Sequence, residues 1–221
     1  MFAAQSPVSK ERSTTPLAVP VESPVVLVVD DDAAVRESLG DLLSSVGIST
    51  MLFGSTQELL DAGLPDRPAC LVLDLRLPDA SGLELQSRLT EMGIAIPIIF
   101  VTGHGDVPTS VRAMKAGAVD FLPKPLRQQE LLDAVIKSLR EDKERRLKDR
   151  NLIELRRLAK RLTARERDVL RGVSRGLLNK QIAHELGVSE ITVKMHRSSA
   201  RRKLKAVSAA DIINKIAALG L

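Results

Sequence analysis

The sequence predicts an α/β fold, a doubly wound five-stranded parallel sheet, followed by an all-α helix-turn-helix unit. Three observations point there. From residue 25 to about 138, short apolar runs alternate with helical patterns, as strands covered on both faces do. Residues 127–160 then contain neither Gly nor Pro. Finally, charge changes sign along the chain. Residues 1–150 carry 17 Lys and Arg against 22 Asp and Glu, and residues 151–221 carry 16 against 6. An acidic part beside a basic one suggests two modules with different partners; on charge alone the basic one either meets nucleic acid or is simply a solvated surface.

Composition narrows the class. Apolar residues make up 44% of the 221 and charged residues 28%, the balance of a globular protein. Trp and Tyr are absent and Phe numbers four, so the cores are aliphatic. A single cysteine, Cys70, makes no internal disulfide and suits a reducing compartment. No apolar run approaches the roughly 18 residues of a membrane span, and the expected location is cytoplasmic. Residues 1–23, rich in Ser, Thr and Pro without a signal-peptide core, are expected to form a disordered tail.

The elements follow in order. Strands are expected at VVLVVD (25–30), STMLF (49–53), ACLVLD (69–74), IPIIFVT (96–102) and AVDFL (118–122). AAVRESLGDLLSSVG places Val35, Leu39, Leu42, Leu43 and Val46 on one helical face. SGLELQSRLTEMG and PTSVRAMKAGA repeat the pattern, and Gly47, Gly93 and Gly117 stand where helices end. Cys70 belongs in the core.

Three aspartates in a row, Asp30 to Asp32, close the first strand. A bound cation or a solvated turn would each explain them, and the three residues alone do not decide. Their company adds weight. Asp74 closes the third strand, Thr102 the fourth, and Lys124 follows the fifth. In open α/β sheets the functional crevice lies outside these carboxyl ends. Carboxylates gathered there call for a cation, and all-oxygen donors suit Mg²⁺. Asp32 is expected only to open the first helix.

VVDDDAAVRESL, LVLDLRLPDASGLEL, IIFVTGHGDVP and VRAMKAGAVDFLPKP resemble the receiver domain of bacterial two-component response regulators, in its FixJ-like branch. That resemblance covers about 115 residues, placing the receiver at 24–138, with the flavodoxin-like strand arrangement. It implies that Asp74 is the phospho-acceptor, with Mg²⁺ held by Asp30, Asp31, Asp74 and the main-chain carbonyl of Arg76. Thr102 and Lys124 would contact the phosphoryl group. Thr102 and Phe121 would switch, although Phe121 also reads as simple core. A cis bond is expected between Lys124 and Pro125. The chemistry agrees, since a carboxylate can attack phosphorus and phosphoryl transfer needs positive charge around the equatorial oxygens. Gly103 would leave the site open.

Residues 127–160 read as one long helix, with Leu132, Val135, Ile136 and Leu139 as its apolar stripe; a break around 149–152 is the rival reading. Its part at 139–160 serves as linker. In LTARERDVLRGVSRGLLNKQIAHELGVSEITVKMHRSSARRKLKA, Thr163 and Glu166 form a capping box. A second helix ends at Gly187. Ser189 opens a third, with Ile191, Val193 and Leu204 facing inward. Two helices joined by a Gly-containing turn make a helix-turn-helix whose second helix enters the major groove. Its outer face offers Lys194, Arg197, Ser198, Arg201 and Arg202.

NKQIA and LGVSEITVKMHR are similar to the LuxR-type DNA-binding domain of the NarL/FixJ family, placing that domain at 161–221. The resemblance implies base-facing positions for Lys194, Met195 and Ser198, and backbone contacts from Asn179, Lys180, Thr192 and His196. Leu178 stands where many members carry a small hydroxyl residue. Together the two resemblances imply a response regulator that a sensor histidine kinase phosphorylates and that then forms a homodimer and binds double-stranded DNA to regulate transcription. RNA polymerase is a further candidate partner. No enzyme activity is expected beyond the receiver's own phosphoryl transfer and dephosphorylation. Two alternatives are a phosphotransfer sink and a constitutive DNA-binding protein whose receiver is only a dimerisation scaffold.

Overall fold

The computed structural model describes residues 23–103 and 107–221; residues 1–22 of the expected tail lie outside them. The chain divides into two compact units after Val135.

The first unit contains β1 (Val25–Val29), α1 (Ala33–Ser45), β2 (Ser49–Phe53), α2 (Thr56–Ala62) and β3 (Ala69–Asp74). It continues through α3 (Gly82–Glu91), β4 (Ile98–Thr102), α4 (Val107–Lys115) and β5 (Asp120–Pro123) into α5 (Gln128–Ala159). All pairings are parallel, in the order β2-β1-β3-β4-β5. The order reverses between β1 and β3, and that reversal is the switch point where a crevice forms. Val29 pairs with Leu73, so Asp30 and Asp74 leave the sheet side by side.

Strand side chains alternate between faces, and both faces are covered. Val25, Leu27 and Val29 share a core with Leu59, Leu85, Leu89 and Ala113. Their neighbours Val26 and Val28, with Cys70, Val72, Ile99 and Val101, are equally buried. Local signals fix the helices between. Asp32 caps α1, accepting from the Ala34 and Val35 N–H groups at 2.9 and 3.3 Å, while Ser81 and Glu84 form a capping box on α3. Gly47, Gly93 and Gly117 adopt φ of 77°, 71° and 95°, where a side chain would be strained.

The apolar faces differ from expectation in detail. Val46 is exposed, because α1 ends at Ser45 and the chain turns there. Ile136 is exposed and Leu131 is buried in the stripe of α5. That helix runs without a break through 149–152. The short helix α2 was not anticipated.

The second unit contains the rest of α5, then α6 (Ala164–Ser174), α7 (Asn179–Leu186), α8 (Glu190–Lys203) and α9 (Ala209–Leu219). Leu155 and Leu158 pack with Val169, Leu170, Ile182, Val193, Ala200, Leu204, Ile212 and Ile216 in one core. Gly172 allows close packing, since a Cβ there would stand 2.7 Å from Ile182 Cγ1. Thr163 and Ser189 cap α6 and α8 as expected. Ile191, expected inside, is exposed. The helix α9 lies beyond the three that were expected.

Candidate functional site

At the carboxyl end of the sheet Asp30 is 2% exposed and Asp74 8%. Lys124 Nζ donates to Oδ2 of both, at 2.7 Å each. The remaining oxygens are held by the backbone. Asp30 Oδ1 accepts from Asp32 N–H, and Asp74 Oδ1 from Arg76 N–H, both at 3.0 Å. Burial pushes the Asp30 carboxyl above its ordinary pKa, against the pull of Lys124. Burial also works against the charge on Lys124, but its bonds to Asp30 and Asp74 prevail and raise its pKa. Asp31 is exposed, and carboxylate oxygens of Asp30, Asp31 and Asp74 lie within 4.8 Å of one another. Three hard oxygen donors at one rim, two of them buried, fit Mg²⁺.

Other elements complete this end. Thr102 is buried at the end of β4, and its carbonyl accepts from Lys124 N–H at 2.8 Å. The Lys124–Pro125 bond is cis. Phe121 is half-buried beside Phe100, ring centroids 6.4 Å apart. Among the described residues nothing lies within 4 Å of where a Cβ on Gly103 would stand, so the space beside it is open. Gly82 matters more: a Cβ there would stand 2.6 Å from the Asp74 carbonyl oxygen. Only a glycine lets α3 begin against the backbone of β3.

In the second unit, α8 turns Val193 and Ala200 into the core and leaves Lys194, Met195, Ser198, Arg201 and Arg202 exposed. His196 and Arg197 are half-buried. Several of these polar groups are already engaged. Arg197 Nη1 lies 2.5 Å from Asn179 Oδ1, and Lys194 pairs with Glu190 at 3.2 Å. Thr192 and Ser189 share a hydroxyl contact at 2.8 Å. The Arg201 guanidinium donates to the carbonyls of Ala206 and Val207 at 3.0 and 2.6 Å, so it holds the turn after α8. Lys180 is exposed at the start of α7. Leu178 offers no capping oxygen, and Gln181 Oε1 accepts its N–H instead at 2.8 Å. Glu166, 3% exposed, ties α6 to α8 by accepting from Ser199 and Lys203 at 2.7 Å each.

The model of the response regulator receiver domain matches residues 26–136, and that of bacterial regulatory proteins of the luxR family matches residues 160–216. This chain is a response regulator of the luxR-type DNA-binding family. Nodulation protein W of Bradyrhizobium diazoefficiens is 50% identical over 197 residues, 89% of this chain and 87% of that protein. Transcriptional regulatory protein FixJ of Azorhizobium caulinodans is 43% identical over 192 residues, 87% and 91% of the two chains. Among solved structures, the response regulator StyR matches with TM-score 0.78 at 47% identity, over 88% of this chain and 98% of that one. Full-length FixJ from B. japonicum matches with TM-score 0.54 at 37% identity, over 89% and 97%.

In this regulator the receiver's strand ends bring Asp30, Asp31, Asp74, Thr102 and Lys124 to one edge of the sheet. Two supporting contacts escaped the sequence reading. Arg36 Nη1 donates to the Asp30 carbonyl at 2.5 Å. Asp79 Oδ2 accepts from Thr56 Oγ1 and Gln57 N–H at 2.7 and 3.0 Å, tying the loop after β3 to the start of α2. The first depends on how the turn after β1 sets α1, and the second joins segments far apart in the chain, whose approach only the fold creates. Among the described residues, no helix is long and apolar enough to cross a membrane.

Proposed function

We propose that Asp74 of this response regulator accepts a phosphoryl group from a sensor histidine kinase, and that the modified chain dimerises on DNA to regulate transcription. The observation that carries this reading is the clasp of Lys124 on Asp30 and Asp74. It puts a cation beside a carboxylate that stands at a topological switch point.

A carboxylate oxygen of Asp74 attacks the phosphorus of a phosphohistidine; the O–P bond forms as the N–P bond breaks and the imidazole leaves. The backbone N–H of Arg76 holds one Asp74 oxygen in place and leaves the other for attack once Lys124 shifts to the incoming phosphoryl oxygens. The Thr102 hydroxyl binds a further oxygen. Asp30, Asp31, Asp74 and the Arg76 carbonyl would hold Mg²⁺, which supplies charge neutralisation at the phosphoryl oxygens. Phosphorylation favours the state in which Thr102 has turned toward the phosphoryl group and Phe121 has moved inward. The surface of α4 and β5, with exposed Val111, Arg112 and Lys115, then pairs two copies. Asn179, Lys180, Thr192 and His196 contact the DNA backbone, while Lys194, Met195 and Ser198 face bases.

Acetyl phosphate with Mg²⁺ tests the first step. Intact mass should show one added phosphoryl group, acid-stable and base-labile, that Asp74→Asn abolishes. Full labelling of Asp74→Asn would show that another residue is the acceptor.

A further inference from the structure

Two large apolar side chains stand in solvent on the helix that carries the basic outer face. Ile191 is 71% exposed and Met195 67%. Four residues apart, they are neighbours on one face of α8. At about 100° per residue, Ile191, Met195 and Ser198 lie opposite Val193, Ala200 and Leu204, which are buried. Neither apolar residue therefore serves the core. Ile191 is also the second residue of α8, and the first turns of a recognition helix are those that reach base edges.

Exposed apolar residues are common on surfaces, but a pair on the face of a DNA-reading helix can serve a partner with apolar surface, and its setting says which kind. Residues 151–221 carry 16 Lys and Arg against 6 Asp and Glu. The pair is flanked on α8 by exposed Lys194 and Arg202, with Lys180 exposed on α7. A cationic surround favours a polyanion. Within the major groove of DNA, the apolar group among the base edges is the thymine C5-methyl.

We infer that Ile191, together with Met195, reads thymine methyl groups, which makes Ile191 a specificity-determining residue of this regulator. The inference rests on the proposed reading that α8 enters the major groove. The regulator thus adds apolar readout to the hydrogen-bonding readout of Lys194 and Ser198. It is selective for thymine over cytosine at those steps, because a cytosine presents an amino group and no methyl.

The test uses full-length protein and a duplex recovered by repeated selection from a random-sequence pool. Each thymine is replaced in turn by uracil, which removes the methyl and keeps every hydrogen-bonding group. The same duplexes are then titrated with Ile191→Ser, a surface change that leaves the core intact. Wild type should lose affinity about three- to fivefold per contacted methyl, at one or two positions in each half-site. Ile191→Ser should bind the thymine and uracil duplexes equally at one of those positions. If wild type tolerates uracil everywhere, or Ile191→Ser keeps the full thymine preference, the inference is wrong. If no sequence is enriched and Lys194→Ala leaves binding unchanged, the placement of α8 in the groove fails as well.

Discussion

Lys124 Nζ lies 2.7 Å from Asp74 Oδ2. The same nitrogen holds Asp30 at 2.7 Å, so a single cation compensates two buried carboxylates in the unphosphorylated receiver. Lys124 holds the acidic edge together, and in the proposed reaction it would also meet the phosphoryl oxygens.

Lys124→Met keeps the unbranched apolar stem, one atom shorter, and removes the charge. Leaving two buried carboxylates without their partner should cost the receiver about 1–3 kcal/mol, and millimolar Mg²⁺ should restore part of the loss. Labelling by acetyl phosphate should slow at least about tenfold, as loss of a preorganised charge does. Circular dichroism melts with and without Mg²⁺ check the first claim, since no Trp or Tyr is present to report by fluorescence. An unchanged melting temperature would count against the clasp.

Arg201 and Lys180 should behave differently although both are exposed cations near α8. Arg201 is spent on the carbonyls of Ala206 and Val207. Arg201→Ala should mainly lower the stability of the DNA-binding unit, by about 1 kcal/mol. Lys180→Ala should leave stability alone and reduce the salt slope of DNA binding by about 1. Melts and binding at several salt concentrations separate the two, and a reversed pattern would show that Arg201 is the phosphate contact.

Glu166 gives the DNA-binding unit a pH dependence of known sign. Burial acts to raise its pKa, but Lys203, the Thr163 N–H and Ser199 outweigh it and lower the pKa from 4.5 to about 2. A carboxyl whose folded pKa is depressed stabilises the fold above its unfolded value, and that contribution is lost as pH falls. The window runs from about pH 4.5 down to about 2. Glu166→Gln should cost about 1–3 kcal/mol at neutral pH, because Lys203 is left without its charge partner. The gap between variant and wild type should close across that window. A gap that stays constant from pH 7 to 3 would contradict the assignment.

Much of this was legible in the chain because the signals were local and strong. The β strands announced themselves as near-continuous apolar runs, and their terminal Asp74 and Thr102 followed from that. The cap residues Asp32, Thr163 and Ser189 were equally plain. What the chain concealed was short, solvent-facing or long-range. The seven residues of α2 were too few to show a helical period, although Ser55 and Glu58 marked its start. Ile191 was expected inside because it is apolar, but its place on α8 faces away from the core. The helix α9 does carry a local signal, with Ser208 capping it and Ile212 and Ile216 buried one turn apart. The Asp79 contacts arise only when distant segments meet, and the Arg36 contact to Asp30 depends on the turn between β1 and α1.

The most direct test of phosphorylation-controlled pairing on DNA is competition binding to duplexes carrying one or two half-sites, with the regulator unmodified and phosphorylated on Asp74. One helix-turn-helix presents few base-reading side chains, and pairing two makes the second contact intramolecular, raising its effective concentration. Phosphorylation should strengthen binding to the two-half-site duplex by about 10²-fold or more, and change binding to the single half-site by a few-fold at most. Equal strengthening on both duplexes would contradict pairing as the mechanism and point to release of a block on a single DNA-binding domain. No strengthening on either would leave the receiver without control over DNA.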